Sequence, residues 1–332
     1  MKASNRGQMR ALLAAIDAAR FVCIFPHIDP DGDTLGSALA LQSLIKRMGK
    51  PVQIVLAAPP PDRLNFMPGF DTIADPASAA SCKDGLAIAV DVSTIERMGP
   101  AQALFQSAQV TAQLDHHETN PRFAQINIVE GDAPATASVI FALFKAQKLS
   151  LQADEATNLY IGLSTDTGNF MFRNTDAESF RIMAALMKAG LNISHYSRLL
   201  FLRKEREHIA LLGKALPTLR YAAGGKVAGM ILDYDTLTQV DPTGQHCEGI
   251  VNYAINTKGV RLAYLAREAQ KGQIKCSLRA LPPYRVDEVA LLHEGGGHKL
   301  AAGCTLRMPL TDAADLLEAE LITACAEADA LA

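Results

Sequence analysis

The sequence predicts a two-domain α/β protein, in which a doubly wound, mainly parallel sheet domain precedes a smaller α+β domain. Three observations support this. The chain of 332 residues is longer than one average domain. Short apolar runs alternate with helix-like segments in the first part. After the glycine pair in YAAGGK, strand-like segments dominate. We therefore predict a first domain over 1–195, a helical linker over 196–219 and a second domain over 220–332.

In the first domain, four apolar runs are predicted to be strands: FVCIF, VQIVLA, GLAIAVDVS and VTAQLDHH. An amphipathic helix is predicted at the start of the chain. DTLGSALALQSLIKRMG reads as a second helix, because it has a basic last turn and a terminating glycine. Continuous apolar runs suit parallel strands that are buried on both faces. Ligands of such sheets bind at the carboxyl ends of the strands, where this sequence places acids and histidines.

The rest of the chain changes from helices to strands. Four helical segments are predicted between about residues 133 and 216, and the last, SRLLFLRKEREHIALLGKAL, is predicted to be one connecting helix. The second domain has the strand-like segments KVAGMILD, VRLAYLARE, QIKCSLRA and CTLRM. HEGGGHKLAAG is predicted to be a loop, because glycine clusters interrupt regular structure.

Composition excludes several classes of protein. The net charge of −3 argues against a broad basic face for long nucleic acid, although a small phosphorylated ligand in a local pocket stays compatible. The six cysteines contain no CxxC pair, so neither a disulfide framework nor a zinc–thiolate site is expected. We find no signal peptide or membrane span in the sequence, and we expect a reduced, cytoplasmic protein without a membrane partner.

Asp31 and Asp33 lie close together after the first strand, in HIDPDGD with His27. Neighbouring carboxylates raise each other's pKa values unless a cation lies between them. Imidazole with carboxylates suits Mn²⁺, Mg²⁺, Fe²⁺ or Zn²⁺. The alternative is an aspartate-rich turn in which Asp33 is the N-cap of the following helix.

Three further clusters follow later in the chain: Asp91 in AIAVDVS, the run Asp115–His116–His117, and Asp166 in GLSTDTGNF. Taken alone, Asp91 is typical of a turn residue, the histidine pair of satisfied polar residues at a strand end, and Asp166 of a capping or turn residue. Together with the first cluster they supply four carboxylates and two histidines, which suffice for two ions with one bridging carboxylate. Two ions about 3.5–4 Å apart can activate a hydroxide and stabilise a phosphoryl transition state.

Four segments of the first domain resemble, in order and spacing, the motifs of the DHH phosphoesterase superfamily. They are HIDPDGDTLGSALAL, AVDVS, LDHHETN and STDTGNFMF. GQIKCSLRA with GGGHKLAAG resembles the DHHA-type substrate-binding domain. Pyrophosphatases of the superfamily have a different C-terminal domain, and RecJ exonucleases are usually longer. The resemblance is therefore to the NrnA-like oligoribonucleases and pAp phosphatases.

The resemblance implies a role for each matching residue. His117 would contact the scissile phosphate and, with Asp91 as the bridging ligand, would be catalytic. Asp115 would orient a histidine. The metal ligands would be His27, Asp31, Asp33, Asp91, His116 and Asp166. The substrate-binding residues would be His117, Arg279, Gly295, Gly296, Gly297 and His298. Glu294 stands where relatives often have a further glycine.

The resemblance also implies an activity. Two divalent ions, Mn²⁺ in the first place with Mg²⁺, Fe²⁺ or Co²⁺ as alternatives, would support hydrolysis in the cleft between the domains. The substrates would be short single-stranded oligonucleotides of two to five nucleotides, or 3′-phosphoadenosine 5′-phosphate (pAp), and not long duplexes. Two alternatives stay open here: a phosphodiesterase for cyclic di-AMP or its linear product, and a non-catalytic nucleotide-binding protein. A homodimer is also left open.

Overall fold

The computed structural model describes residues 5–74, 81–242, 244 and 246–331 of the chain. The chain divides into two compact units, Met1–Leu202 and Arg203–Ala332. Each unit has its own six-stranded sheet and its own cores.

The N-terminal unit is an alternation of strands and helices. Its six strands are β1 (Val22–Pro26), β2 (Val52–Val55), β3 (Ile73–Ala74), β4 (Leu86–Val90), β5 (Val110–Asp115) and β6 (Ile126–Val129). Its seven helices among the described residues are α1 (Asn5–Ala18), α2 (Gly32–Arg47), α3 (Gln102–Gln106), α4 (Thr136–Ala146), α5 (Ala153–Asp166), α6 (Ala177–Lys188) and α7 (Ile193–Ser197). The four apolar runs that were predicted to be strands form β1, β2, β4 and β5, and the structure contains two further strands, β3 and β6, that were not predicted.

All strand pairs of this sheet are parallel, in the order β3-β2-β1-β4-β5-β6. The chain moves outward from β1 in one direction and then returns to continue on its other side, which creates a switch point between β1 and β4. Ligands bind outside the carboxyl ends of the strands at such a point. The predicted doubly wound sheet is confirmed.

Both faces of the sheet are buried, which explains why its strands are apolar without alternation. On β1, Val22 and Ile24 belong to the core beneath the large helices, whereas Cys23 and Phe25 belong to the core on the opposite face. The second core includes Phe105 of α3, whose ring meets that of Phe25 edge-on at 5.6 Å.

Cys23 and Cys82 form a disulfide across 59 residues of chain. The expectation of no disulfide is therefore wrong for this pair. Cys82 lies just before β4, and β4 pairs with β1, so the sheet brings together two thiols whose sequence separation gave no sign of it. The other four cysteines, Cys247, Cys276, Cys304 and Cys325, are free and buried.

The C-terminal unit has a mixed sheet in the order β11-β12-β10-β9-β8-β7, in which only β8 and β9 pair in parallel. Its strands are β7 (Arg220–Ala222), β8 (Val227–Leu232), β9 (Leu262–Gln270), β10 (Gln273–Ala280), β11 (Gly296–His298) and β12 (Ala301–Leu306). The helices of its described part are α8 (Arg206–Ala215), α9 (Tyr234–Val240), α10 (Val251–Ile255), α11 (Asp287–Leu291) and α12 (Leu310–Ala330). The α+β expectation is confirmed.

Two expectations about local structure are wrong. The predicted connecting helix is interrupted: α7 continues into one π-helical turn over Arg198–Leu202, and α8 begins only after the extended residue Glu205. The predicted glycine loop contains β11, and β12 begins within it. Among the described residues, no helix combines the length and the apolar character needed to cross a bilayer.

Candidate functional site

The turn between β1 and α2 holds the first predicted cluster. Asp31 is the N-cap of α2, where its Oδ1 accepts hydrogen bonds from the backbone N–H groups of Asp33 (2.9 Å) and Thr34 (3.0 Å). The capping residue is thus Asp31. The alternative interpretation, an aspartate-rich turn with Asp33 as the N-cap, is wrong about the capping residue. A cap satisfies the N–H groups that have no partner within the first turn of a helix.

Asp33 is buried and is directed at the start of another helix. Its Oδ2 accepts from the backbone N–H of Thr136 at 2.6 Å, and its Oδ1 from that of Ala137 at 2.9 Å, both in the first turn of α4. Burial, followed by repulsion from Asp91, Asp166 and Asp31, raises the pKa of Asp33 well above its ordinary value. The site therefore contains more negative charge than its own hydrogen bonds offset.

Asp91 follows β4 with a left-handed backbone (φ 60°), a conformation that Asp tolerates better than most residues. Thr34 donates through Oγ1 to Oδ2 of Asp91 at 2.6 Å, and Thr136 donates through Oγ1 to Oδ1 at 2.9 Å. The two threonines fix the carboxylate between His27 and His116, whose Nε2 atoms each lie 3.8 Å from one of its oxygens.

His27 and His116 both turn their Nε2 atoms toward the carboxylate of Asp91. Nδ1 of His27 lies 2.5 Å from the carbonyl oxygen of Ile28, and Nδ1 of His116 lies 3.2 Å from that of Ala133. A carbonyl oxygen only accepts, so the ring of His116 carries its proton on Nδ1 and turns the lone pair of Nε2 toward the cluster. This is the arrangement of a metal-ligating histidine. Nε2 of His27 lies 2.7 Å from Oγ1 of Thr34.

His117 is turned differently from its neighbour. Its Nδ1 donates to Oδ1 of Asp115 at 2.7 Å, and Asp115 is fully buried. Oδ2 of Asp115 accepts in turn from Nδ2 of Asn120 at 2.5 Å. The hydrogen bond to Asp115, with the nearby carboxylates and against the cost of burial, raises the pKa of His117 to about 9.

Asp166 reaches the cluster from the C-terminal end of α5. Its Oδ2 lies 3.4 Å from Nε2 of His116. Burial raises the pKa of Asp166 to about 6, and the neighbouring His116 opposes that shift. Gly162, one turn earlier on α5, leaves room for Asp33, because a Cβ there would lie 2.7 Å from Oδ1 of Asp33.

Among the residues that the structure describes, three overlapping groups of ligand atoms result, and the atoms within each group lie within 4.8 Å of one another. Asp91 and His116 each belong to two of them. The groups are His27–Asp31–Asp91, Asp91–His116–His117 and Asp33–His116–Asp166. Carboxylate oxygens with imidazole nitrogens suit a divalent cation of intermediate hardness, and the crowded negative charge favours binding of one. The residues therefore fit the metal that this chemistry implies.

The residues predicted to bind substrate lie in the C-terminal unit. Arg279 on β10 pairs with Ala301 on β12, which pairs with His298 on β11. Side chains at directly opposite positions point to the same face of a sheet, so Arg279 and His298 share a face. Desolvation lowers the pKa of Arg279, and within the described residues no carboxylate lies at ion-pair distance from it.

The three glycines of this region differ in what they do. A Cβ on Gly295 would lie 2.3 Å from the carbonyl oxygen of Gly303, and one on Gly297 would lie 2.5 Å from that of Ala301. A Cβ on Gly296 would meet nothing within 4 Å. Packing requires the first and the third, whereas the surface at Gly296 is open to a ligand.

Known proteins share this architecture. Residues 21–163 match the DHH family, N-terminal domain, and residues 225–327 match the DHHA1 domain. The bifunctional oligoribonuclease and PAP phosphatase NrnA of Thermus thermophilus is 30% identical over 287 residues, which are 86% of this chain and 84% of that protein. The chain belongs to the NrnA-like group of the DHH family.

Other DHH-family relatives agree. The protein of the same name from Bacillus subtilis is 24% identical over 319 residues, 95% of this chain and 98% of its own length. A probable manganese-dependent inorganic pyrophosphatase of Streptococcus mutans is 24% identical over 182 residues, 53% of this chain and 57% of that protein. The crystal structure of an exopolyphosphatase-related protein from Bacteroides fragilis superposes with a TM-score of 0.87 at 22% identity, covering 94% of this chain and 95% of that one. This last likeness concerns the fold.

The structure brings the predicted ligands together, although the roles given to them stay predictions. His27, Asp31, Asp33, Asp91, His116 and Asp166 all take part in the overlapping groups, and so does His117. Sequence reasoning missed Thr34 and Thr136, which hold Asp91, and Arg97, whose Nη2 lies 3.2 Å from Nδ1 of His27. Thr34 is inside the first motif and could have been noticed; Thr136 and Arg97 stand in segments without any such signal.

Proposed function

We propose that this DHH-family hydrolase cleaves phosphoester bonds of short oligonucleotides and of pAp in a metal-dependent reaction. The observation that carries the proposal is the sharing of Asp91 and His116 among three groups of ligand atoms at the switch point of a parallel sheet. The NrnA proteins of T. thermophilus and B. subtilis, which are named for these two activities, support the choice of substrates.

DHH phosphoesterases depend on metal ions, and the chain has residues for two. His27, Asp31 and Asp91 would hold one ion, and Asp33, His116 and Asp166 the other, with Asp91 as the shared ligand. We propose Mn²⁺, as in the name of the S. mutans relative. When bound, such ions supply Lewis-acid polarisation of the phosphoryl group and a nucleophile at neutral pH.

His117 has a separate task in this proposal. Because Asp115 takes its Nδ1–H, the ring is fixed with Nε2 left for a substrate oxygen. Its side chain is 36% exposed, compared with 16% for His116, which suits contact with a bound molecule. We assign His117 to stabilise charge on the phosphoryl oxygens and to donate a proton to the leaving oxygen.

The C-terminal unit would bind the rest of the nucleotide. Arg279 offers a planar fork of donors that fits a phosphate, and that fork has no carboxylate competitor at ion-pair distance among the described residues. His298 is exposed on the same face, and the backbone at Gly296 can approach a ligand closely. These groups would recognise phosphate and base edges.

The test is a parallel assay of full-length protein with a dinucleotide, a pentanucleotide, a long RNA, pAp and cyclic di-AMP. We expect Mn²⁺ to support hydrolysis of the dinucleotide, the pentanucleotide and pAp, with the long RNA and cyclic di-AMP at least about tenfold slower in kcat/KM. Treatment with EDTA should abolish activity, and Mn²⁺ should restore it better than Ca²⁺, since the proposed chemistry needs the ions.

Three results would overturn the proposal. Full activity of protein that contains no metal would exclude the mechanism. Cyclic di-AMP as the preferred substrate would favour the cyclic-dinucleotide alternative, and binding of all nucleotides without turnover would favour a non-catalytic protein.

A further inference from the structure

A second group of basic side chains lies on the sheet face of Arg279, farther along the strands. Lys275 on β10 pairs with Arg267 on β9 and with Thr305 on β12. Residues 275, 277 and 279 alternate with buried residues on β10, so Lys275 and Arg279 point to the same side. Paired positions share a face, and Arg267 and Thr305 therefore belong to it as well.

These side chains line a cavity of about 450 Å³. Its floor is the face of the three strands, and one wall is the segment 293–295, which precedes β11. Glu294 is an acid in that wall, and His293 directs Nε2 to the carboxylate of Glu320 at 2.9 Å. The lining also includes three cations, Arg267, Lys275 and Arg307. Positive charge therefore exceeds negative charge around the cavity.

The cations are free to bind an anion. Lys275 and Arg307 are exposed, and neither has an ion-pair partner among residues that the structure describes. Arg267 donates from Nη1 to the carbonyl oxygen of Gly244 at 2.9 Å, and within the described part of the chain no carboxylate lies at ion-pair distance from it. By contrast Lys271, in the turn of the same hairpin, lies 3.3 Å from Asp235.

The cavity is separate from the position of Arg279. Lys275 and Arg279 are four positions apart on β10, and strands rise by about 3.3 Å per residue, so their Cα atoms lie about 13 Å apart. Successive phosphates of an oligonucleotide backbone can therefore be bound one at each row. A ligand with several linked phosphates uses both rows, whereas a shorter ligand held at Arg279 depends less on Lys275.

We propose that this cavity binds the phosphodiester backbone of the nucleotides beyond the one at Arg279, and so favours substrates longer than a dinucleotide. The inference rests on the proposed function, because it extends the substrate site to a second phosphate position. Contacts to backbone phosphates do not depend on the base, so RNA and DNA of any sequence would be bound alike.

The experiment compares full-length wild type with the double variant Lys275→Glu/Arg307→Glu and with the control Lys271→Glu. Fluorescence anisotropy measures binding of labelled dinucleotides and pentanucleotides in EDTA, at several salt concentrations. For the pentanucleotide we expect the double variant to bind at least roughly tenfold more weakly, since it loses two charge-assisted contacts. The slope of log K against log salt should fall by about 0.7 per cation. Dinucleotide binding should change less than about twofold, and the control should match wild type.

A milder variant, Lys275→Ala/Arg307→Ala, guards against an effect of charge reversal on folding, and it should give a smaller loss in the same direction. Equal pentanucleotide affinity in wild type and both double variants overturns the proposal, and so does an equal loss for the dinucleotide. If the wild type shows the expected binding but hydrolyses neither oligonucleotide with Mn²⁺, the proposed function fails while the phosphate site stands.

Discussion

The carboxylate–histidine cluster of the N-terminal unit differs from the glycine strand, β11 (Gly296–His298), of the C-terminal unit in how its groups are held. In the cluster, Asp33 and Asp91 are almost fully buried, and their oxygens accept hydrogen bonds from side chains or from helix N–H groups. Residues 296–298 of β11 are exposed, and their backbone pairs with β12. The first region fixes its groups before any ligand arrives, whereas the second leaves its surface open.

The two regions also differ in charge. The raised pKa values of Asp33 and Asp166 show that the cluster concentrates negative charge at a cost in folding free energy. Divalent ions would remove that cost and should stabilise the N-terminal unit. The glycine strand has no such excess of charge, so its residues should affect substrate binding more than stability.

The largest expected effect comes from Asp91→Asn, which removes the charge but keeps the shape and tolerates the left-handed backbone. We expect kcat/KM to fall by at least about a thousandfold, since stabilisation by the ions amounts to several kcal/mol. Bound Mn²⁺ per chain, measured by elemental analysis, should fall, and Mn²⁺ should raise the melting temperature less than in wild type.

Asp29→Asn is the matched control. Asp29 lies in the loop after β1, is exposed, and also has a left-handed backbone (φ 51°), but it belongs to none of the three ligand groups. Its activity should stay within about threefold of wild type. Near-normal turnover of Asp91→Asn with full metal content would remove Asp91 from the centre.

Much of the cluster was predictable because parallel strands end at one edge. Each of β1, β4 and β5 is an apolar run followed at once by an acid or a histidine, and that pattern alone indicates which side chains meet. Asp166 was harder, since it reaches the same place from the end of α5. Alone it is typical of a capping or turn residue, and it became a candidate ligand only in combination with the other clusters.

What the sequence could not predict depends on contacts between distant segments. Thr136 holds Asp91 across 45 residues, and a threonine at a helix start usually suggests only a cap. The Cys23–Cys82 disulfide needs β1 and β4 to be neighbours, which follows from sheet order and not from spacing. The strand at Gly296 was missed because glycine disfavours strands, yet its two neighbouring glycines, Gly295 and Gly297, are needed for close backbone approach.

A smaller effect is expected from Gly296→Ala in the glycine strand. The φ of Gly296 is not positive, and a Cβ there meets no atom within 4 Å, so the fold should accept alanine. If nucleotide approaches this backbone, the methyl group should raise KM for the dinucleotide by about tenfold, the loss of roughly one good contact. Steady-state kinetics and a melting curve separate the two outcomes.

Gly213→Ala in α8 is the control for that variant, because its Cβ would also meet nothing within 4 Å. It should leave KM unchanged and raise stability by about 0.5–1 kcal/mol, since alanine is the better helix former. An unchanged KM in Gly296→Ala would show that substrate does not approach the backbone there.

The smallest expected effect separates folding from function at Glu294. Glu294 is exposed and has a left-handed backbone (φ 54°), a conformation that costs a residue with a Cβ about 1–2 kcal/mol. Glycine removes that cost but adds freedom to the unfolded chain, so Glu294→Gly should raise the free energy of unfolding by a net of about 0.5–1 kcal/mol in urea titrations.

The same change removes the acid from the wall of the basic cavity, and pentanucleotide binding should then tighten while dinucleotide binding stays constant. Glu294→Gln removes the charge but keeps the Cβ. Tighter pentanucleotide binding by this variant, without added stability, would show that the two effects of Glu294 are independent. A loss of stability in Glu294→Gly would mean that the left-handed backbone of Glu294 is not strained.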